Sequence, residues 1–153
     1  MSNHYLIMQI EEQEIALEVS EVARVIRAVE LVEVPDTPTS LQGVFNLAGE
    51  MTCVISTRAL LNHPAKEIDP EDILVILETQ NTFALLVDAV AGVFELTPIH
   101  KSQTMLARLT HTHVAQWQDH LIPILSSQQL QNTLEQHWHL ADTLNTEVAH
   151  HDE

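Results

Sequence analysis

Gly43-Val-Phe-Asn-Leu-Ala-Gly49, followed by Glu50-Met-Thr-Cys-Val-Ile-Ser-Thr-Arg58, carries more fold information than any other stretch of this chain, because it holds two of the three glycines in 153 residues. Glycine this scarce marks backbone positions that need positive φ or the close approach of another segment. Just upstream, Val34-Pro-Asp-Thr-Pro38 breaks any helix and sets an extended, turning entry into the block. The whole reads as a loop, a tight corner, a buried strand over Met51–Ile55 and a short helix over Thr57–Leu61 capped by Ser56. Gly43, Gly49, Pro35 and Ser56 are the structural residues of this reading.

Working outward, composition bounds the class of protein. At 45% hydrophobic residues the chain suits one domain or two small lobes, and a chain of this length buries roughly 68–70% of its unfolded surface. Twenty-two acidic against six basic residues leave a formal net charge of −16, which opposes phosphate backbones and anionic lipid surfaces. No nucleic-acid partner and no direct membrane contact are expected. The one cysteine, Cys53, lies in an apolar run and has no intramolecular partner, which points to a reducing, cytoplasmic compartment. The start lacks a basic region, and the longest apolar stretch, Phe83–Phe94, is interrupted by Asp88, so neither a signal peptide nor a membrane span is expected.

The chain also repeats itself. A shift of 68 lays Tyr5–Val25 on Ile73–Val93 with seven identities in 21 pairs, among them Val22 on Val90 and Val25 on Val93. A shift of 70 lays Val44 on Val114, Val54-Ile55-Ser56 on Ile124-Leu125-Ser126, and Leu60 on Leu130. The order is kept, so two copies of about 60 residues are joined through a linker at 63–72 that carries two prolines and five charges. Tyr5–Ile10 with Ile15–Val19, and Ile73–Leu77 with Phe83–Val87, read as hairpins. Val19–Ala28 fits helix by spacing and strand by β-branching, and is read as a helical turn at Ser20–Ala23 followed by a strand from Arg24 to Val32. Copies this small, with four or five short strands each, close into barrels rather than sandwiches. The expected architecture is all-β: a first barrel at 4–62, a second at 73–126, an amphipathic helix at 127–144 with Trp138 docking on a barrel, and a polar tail at 145–153.

Reactive constellations are weak. His111/His113, His137/His139 and His150/His151 are the pairs that a zinc or nickel site would use, but three or four ligands must converge, and residues 137 and 139 of a helix point apart. No phosphate-cradling loop or nucleophile elbow is present. Asp88, inside Leu85-Leu-Val-Asp-Ala-Val90, is a candidate tuned base or, on the simpler reading, a cap of the following turn, as Ser20 would be in the first copy. No catalytic, cofactor-binding or metal-binding residue is expected. An interaction module remains.

Over about residues 4–140 the chain resembles the CheW-like adaptor domain of bacterial chemosensory systems. Tyr5–Ile10 and Glu14–Val25 follow that family's opening pattern, Val34-Pro its Val-Pro, Gly43–Gly49 its glycine corner, and Phe83–Val93 its Gly-Leu-x-Val-Asp-x-Val-x-x-Val segment. The resemblance implies two five-stranded SH3-like barrels, no catalysis, and coupling of chemoreceptor tips to a histidine kinase. It places the receptor between the barrels and the kinase's regulatory domain on one barrel face. Three departures stand out: Ala48 replaces the corner arginine, Ser56-Thr57-Arg58 replaces Asp-Leu-Arg, and Arg24 replaces a glutamate. The first removes a five-donor group suited to carboxylates and the last reverses a charge, and together they imply a divergent adaptor of a chemotaxis or type IV pilus pathway with altered partner surfaces.

Because alternate residues of a barrel strand face outward, the apolar run Phe83–Val93 is expected to leave Leu86, Val87, Val90 and Val93 partly uncovered, with Val22 and Val25 their counterparts beside the corner. The expected partner-binding set is Val22, Arg24, Val25, Asn46, Leu47, Ala48, Gly49, Arg58, Val87 and Val90. A kinase-binding or self-assembling inhibitor that does not bridge to a receptor, and a histidine-based metal protein, are the alternatives.

Overall fold

The computed structural model describes residues 4–35, 40–99, 113–128 and 130–132. The strands are β1 (His4–Ile10), β2 (Gln13–Glu18), β3 (Val22–Arg27), β4 (Leu41–Leu47), β5 (Glu50–Ser56), β6 (Ile73–Glu78), β7 (Thr82–Val87), β8 (Ala89–Glu95), β9 (Thr97–Ile99), β10 (His113–Trp117) and β11 (His120–Leu125). A 3-10 turn at Val19–Glu21 leads into β3, and α1 (Thr57–Leu60) follows β5. Ser56 caps α1 by accepting the Ala59 N–H at 3.2 Å. The fold is all-β, two SH3-like barrels as expected.

The strand pairing does not follow the expected boundaries at 4–62 and 73–126. One sheet runs β8-β1-β2-β11-β10-β9 and the other β3-β6-β7-β5-β4. The copies therefore exchange their first hairpins: β1–β2 completes the barrel of the second copy, and β6–β7 completes that of the first. Parallel pairs β11·β2 and β5·β7 make the equivalent join on each side. Hydrophobic periodicity specifies that a segment is a strand, but not which strand it pairs with, so the exchange leaves no mark on the pattern.

Each sheet curls shut. In the first barrel Val32 bridges Val44, with N–H···O distances of 2.8 and 3.0 Å in the two directions. In the second, the Phe94 ring of β8 lies 5.1 Å from the Trp117 ring of β10, centroid to centroid.

Burial explains why the central strands β6 and β7 are apolar at all but their terminal positions, Glu78 and Thr82. Along β7, Phe83, Leu85 and Val87 enter one core while Ala84 and Leu86 enter another, and β6 alternates likewise between Val75 and Leu77 on one side and Leu74 and Ile76 on the other. Leu6, Met8, Ile15 and Leu17 of β1 and β2 enter the first of these cores from the opposite sheet, while Tyr5, Ile7 and Ala16 fill the second barrel. Each barrel thus has its own interior, and a third, larger core lies between the barrels.

The repeat is symmetric in three dimensions. Val22 pairs with Leu77 as Val90 pairs with Met8, each pair is followed by a bulge at Ala23 or Ala91, and then Val25 meets Val75 as Val93 meets Leu6. The shift of 68 holds for β2/β7 and β3/β8, but for β1/β6 it is 69: Leu6 faces Leu17 as Val75 faces Leu85. The chain between the paired residues is one residue shorter in the second hairpin, from Val75 to Leu85, than in the first, from Leu6 to Leu17, and one residue is enough to change the face of a strand.

After β11, residues 127–128 and 130–132 have helical backbone, and Leu130 packs into the core between the barrels. The rest of the expected helix at 127–144, with Trp138, and the tail at 145–153 lie outside the described residues.

Candidate functional site

The edges of the core between the barrels are the edge strands β3 and β8. Val22 and Val90 pack against that core while partly exposed. Three residues further along, Val25 is 42% and Val93 49% exposed. Antiparallel partners share a face, so Val25, opposite Val75, and Val93, opposite Leu6, point to the same side as that core and extend it to the surface. The arrangement offers two short apolar strips in equivalent positions. Charge differs between them: β3 carries exposed Arg24 and Arg27, whereas β8 has Gly92 and Glu95 in the matching places.

Val87 needs correction. It is 1% exposed and belongs to the core between the barrels, because the opposite sheet covers the face that a free-standing barrel would leave open. It offers no surface to a partner. Leu86 is half-buried inside the first barrel.

The corner is a two-residue hairpin turn between Leu47 and Glu50, with Ala48 at φ 51° and Gly49 at φ 93°. Asn46 Oδ1 accepts the Gly49 N–H at 2.8 Å. Asn46, Ala48 and Gly49 are exposed, whereas Leu47 packs into the first barrel. The matching turn of the second copy has Gln118 at φ 55°, and Met51 and Leu121 stand at equivalent exposed positions, 61% and 51%. The corner does not lie beside Val25. Pairing places Val25 level with Val75, Leu85, Ile55 and Leu41, at the other end of the strands. Gly43 is structural by close approach: a Cβ there would sit 2.8 Å from the Val32 carbonyl oxygen, at the bridge that shuts the first barrel. Pro35 is exposed in the turn leading away from that bridge.

Arg58 is a clamp, with its side chain only 11% exposed. Its Nη2 and Nε donate to Asp88 Oδ2 and Oδ1 at 2.7 and 3.3 Å, and its Nη1 donates to Glu11 Oε1 and the Pro64 carbonyl, both at 3.2 Å. Asp88 Oδ2 also accepts the Glu11 N–H at 2.8 Å. His63 bridges Glu11 Oε2 and Gln13 Oε1, and Lys66 pairs with Asp72 at 3.2 Å and lies 3.7 Å from Asp88. Asp88 thus caps the β1–β2 turn rather than the turn that follows it. Burial works to raise the Asp88 pKa, but the Glu11 N–H and the guanidinium outweigh it and hold the carboxyl below its usual value. Hydrogen bonds from Arg58 and then His63 lower that of Glu11. Every group in the cluster is occupied by another, and it ties the first copy's helix and hairpin to the second copy's β7–β8 junction.

A family model for the CheW-like domain matches residues 4–135. The chain belongs to the CheW-like domain family. Among solved structures it is similar to the scaffolding protein TtCheW from Thermoanaerobacter tengcongensis, at 22% identity and a TM-score of 0.68, over 82% of this chain and 90% of that one. That likeness speaks to the fold. No curated protein matches the chain.

In this CheW-like chain the residues singled out from sequence, apart from the buried Val87, fall into three places. Val22, Arg24, Val25 and Val90 lie on the two edge strips, Asn46, Leu47, Ala48 and Gly49 on the corner, and Arg58 in the clamp. Sequence reading missed Arg27, and missed Glu11 and Lys66 as partners in the clamp, since only the hairpin exchange brings residues 11, 58 and 88 together. Among the described residues no three His, Cys, Asp or Glu side chains are grouped to hold a metal ion, and no helix is long and apolar enough to cross a membrane. His111, His137, His139, His150 and His151 lie outside the described residues.

Proposed function

We propose that this chain is a non-catalytic cytoplasmic adaptor that couples chemoreceptor tips to the regulatory domain of a histidine kinase. The observation that carries the reading is the pair of exposed valines, Val25 and Val93, on matched edge strands of a CheW-like domain. Apolar side chains at a rim, flanked by charge, supply affinity and selectivity without chemistry. The clustered ionisable groups support the same reading, since each is consumed in holding the lobes together. Reconstitution tests it: purified chain should raise the amount of kinase recovered with receptor fragments. A chain that binds the kinase's regulatory domain and no receptor would be an inhibitor rather than a coupler.

A further inference from the structure

A groove of about 710 Å³ lies between the segment 28–33, which follows β3, and the linker segment 65–70. Both walls are fixed by the fold. The Val32–Val44 bridge pins the first wall, and Leu31 packs into the interior of the first barrel. Asp72 holds the second: its carboxylate accepts from Lys66 Nζ at 3.2 Å and from the Asp69 N–H at 2.9 Å. Its carbonyl accepts the Ala28 N–H at 2.8 Å and joins the two walls. A recess held in this way is formed before a ligand arrives, so filling it costs little ordering.

The lining combines apolar surface with uncompensated negative charge. Val29, Leu31, Ile68 and Pro70 supply the apolar part, with Val29 42% exposed. Glu30, Glu33 and Glu67 are exposed in the same lining and make no ion pair among the described residues. Lys66, the one cation of the lining, is engaged by Asp72 and Asp88. Barrel closure does not require these carboxylates. In the second copy Ile99 meets Val114 as Val32 meets Val44 in the first, which sets Thr97 in the place of Glu30.

The occupant must therefore be cationic, yet a metal ion does not answer, because no three acidic or histidine side chains among the described residues are grouped to hold one. Positive groups must be spaced and carried on a body with apolar surface between them. A peptide segment in which lysine or arginine alternates with aliphatic side chains has both properties, and the net charge of −16 draws it in. We propose that this groove binds a basic, amphipathic peptide segment of a partner protein, with aliphatic side chains against Val29 and Ile68 and cations at Glu30, Glu33 and Glu67. The site shares no residue with the two edge strips and does not rest on the adaptor reading.

The test uses the full chain and fluorescently labelled, end-blocked peptides: Lys-Leu-Lys-Leu-Lys, Lys-Gly-Lys-Gly-Lys and Glu-Leu-Glu-Leu-Glu, with unlabelled spermidine as a competitor. The first peptide should bind, and more weakly at high salt; the second should bind at least about fivefold more weakly, and the third should not bind. Two triple variants carry the same change in net charge. Glu30→Gln with Glu33→Gln and Glu67→Gln should weaken binding of the first peptide by about tenfold, whereas Glu12→Gln with Glu78→Gln and Glu95→Gln, exposed elsewhere, should change it by less than about twofold. Val29→Ser, which leaves the charge alone, should weaken it about threefold. All three variants change exposed side chains, and unchanged melting temperatures establish that the fold is kept. Equal losses in the two triples would mean attraction to the chain's overall charge and overturn the site. Equal affinity for the leucine and glycine peptides, or displacement of the leucine peptide by spermidine at equal concentration, would overturn the peptide as occupant, and no binding by any peptide would overturn the proposal outright.

Discussion

The Arg58 guanidinium grips both carboxylate oxygens of Asp88, at 2.7 and 3.3 Å, across a sequence separation of 30 residues. One end of this pair belongs to the first copy's helix and the other to the junction where the second copy's central strand passes into its edge strand. Through Glu11 the same guanidinium reaches the exchanged hairpin. Three segments distant in sequence are thus held by one side chain, which a lysine with its single ammonium could not reproduce.

Replacing Arg58 by methionine should lower stability by about 2 kcal/mol, because Asp88 keeps its partial burial and loses its fork of donors. Asp88→Asn should cost less, since the Glu11 N–H keeps an acceptor. The pH dependence follows from the same contacts. Asp88 and Glu11 have folded-state pKa values below their unfolded ones, so their stabilisation is present above about pH 4–5 and is lost as pH falls through the lowered folded values. Arg58→Met should flatten that acid limb. Denaturant melts across pH check both, and an unchanged limb would mean that the clamp contributes nothing.

Alanine scanning of the corner separates two roles of glycine. Gly43→Ala must open the Val32–Val44 bridge or push Val32 aside, whereas at Gly49 nothing lies within 4 Å of an added Cβ and only the positive φ is penalised. Gly43→Ala should therefore cost clearly more than the roughly 1–2 kcal/mol of left-handed strain expected at Gly49. Ala48 already pays such strain at φ 51°, and Ala48→Asn should raise the melting temperature. Equal costs at Gly43 and Gly49 would contradict the barrel closure.

The all-β class, the corner, the Ser56 cap and the repeat were all legible, because each rests on local chemistry or on a periodicity that survives in sequence. Pairing partners were not. Tyr5–Ile10 and Ile73–Leu77 look alike whether their hairpins fold back on their own copy or cross to the other. The same blindness hid Val87: a continuous apolar run is as consistent with burial on both faces as with an exposed patch, and only the neighbouring sheet decides. The clamp depends on that exchange too, so Glu11 could not be matched to Arg58 from spacing.

Hairpin exchange makes the lobes interdependent. Fragments ending and beginning within the linker 63–72 should each be unfolded alone, since each lacks two strands of its barrel, and should regain strand-rich circular dichroism when mixed. Independent folding of either fragment would contradict the pairing.

Asp substitutions distinguish core from surface. Val87→Asp places a carboxylate in the core between the barrels and should destabilise by several kcal/mol. Val25→Asp and Val93→Asp, at half-exposed rim positions, should leave the melting temperature nearly unchanged and weaken partner binding instead. A folded, fully stable Val87→Asp protein would place that residue elsewhere.

Bridging is the central claim, and co-sedimentation tests it most directly. Receptor-bearing membranes are spun with the histidine kinase in the presence and absence of this chain, and the kinase in the pellet is measured. The account predicts kinase recovery that rises in proportion to added chain and collapses with Val25→Asp. Kinase recovery that is the same with and without the chain, while the chain itself is folded, would contradict it.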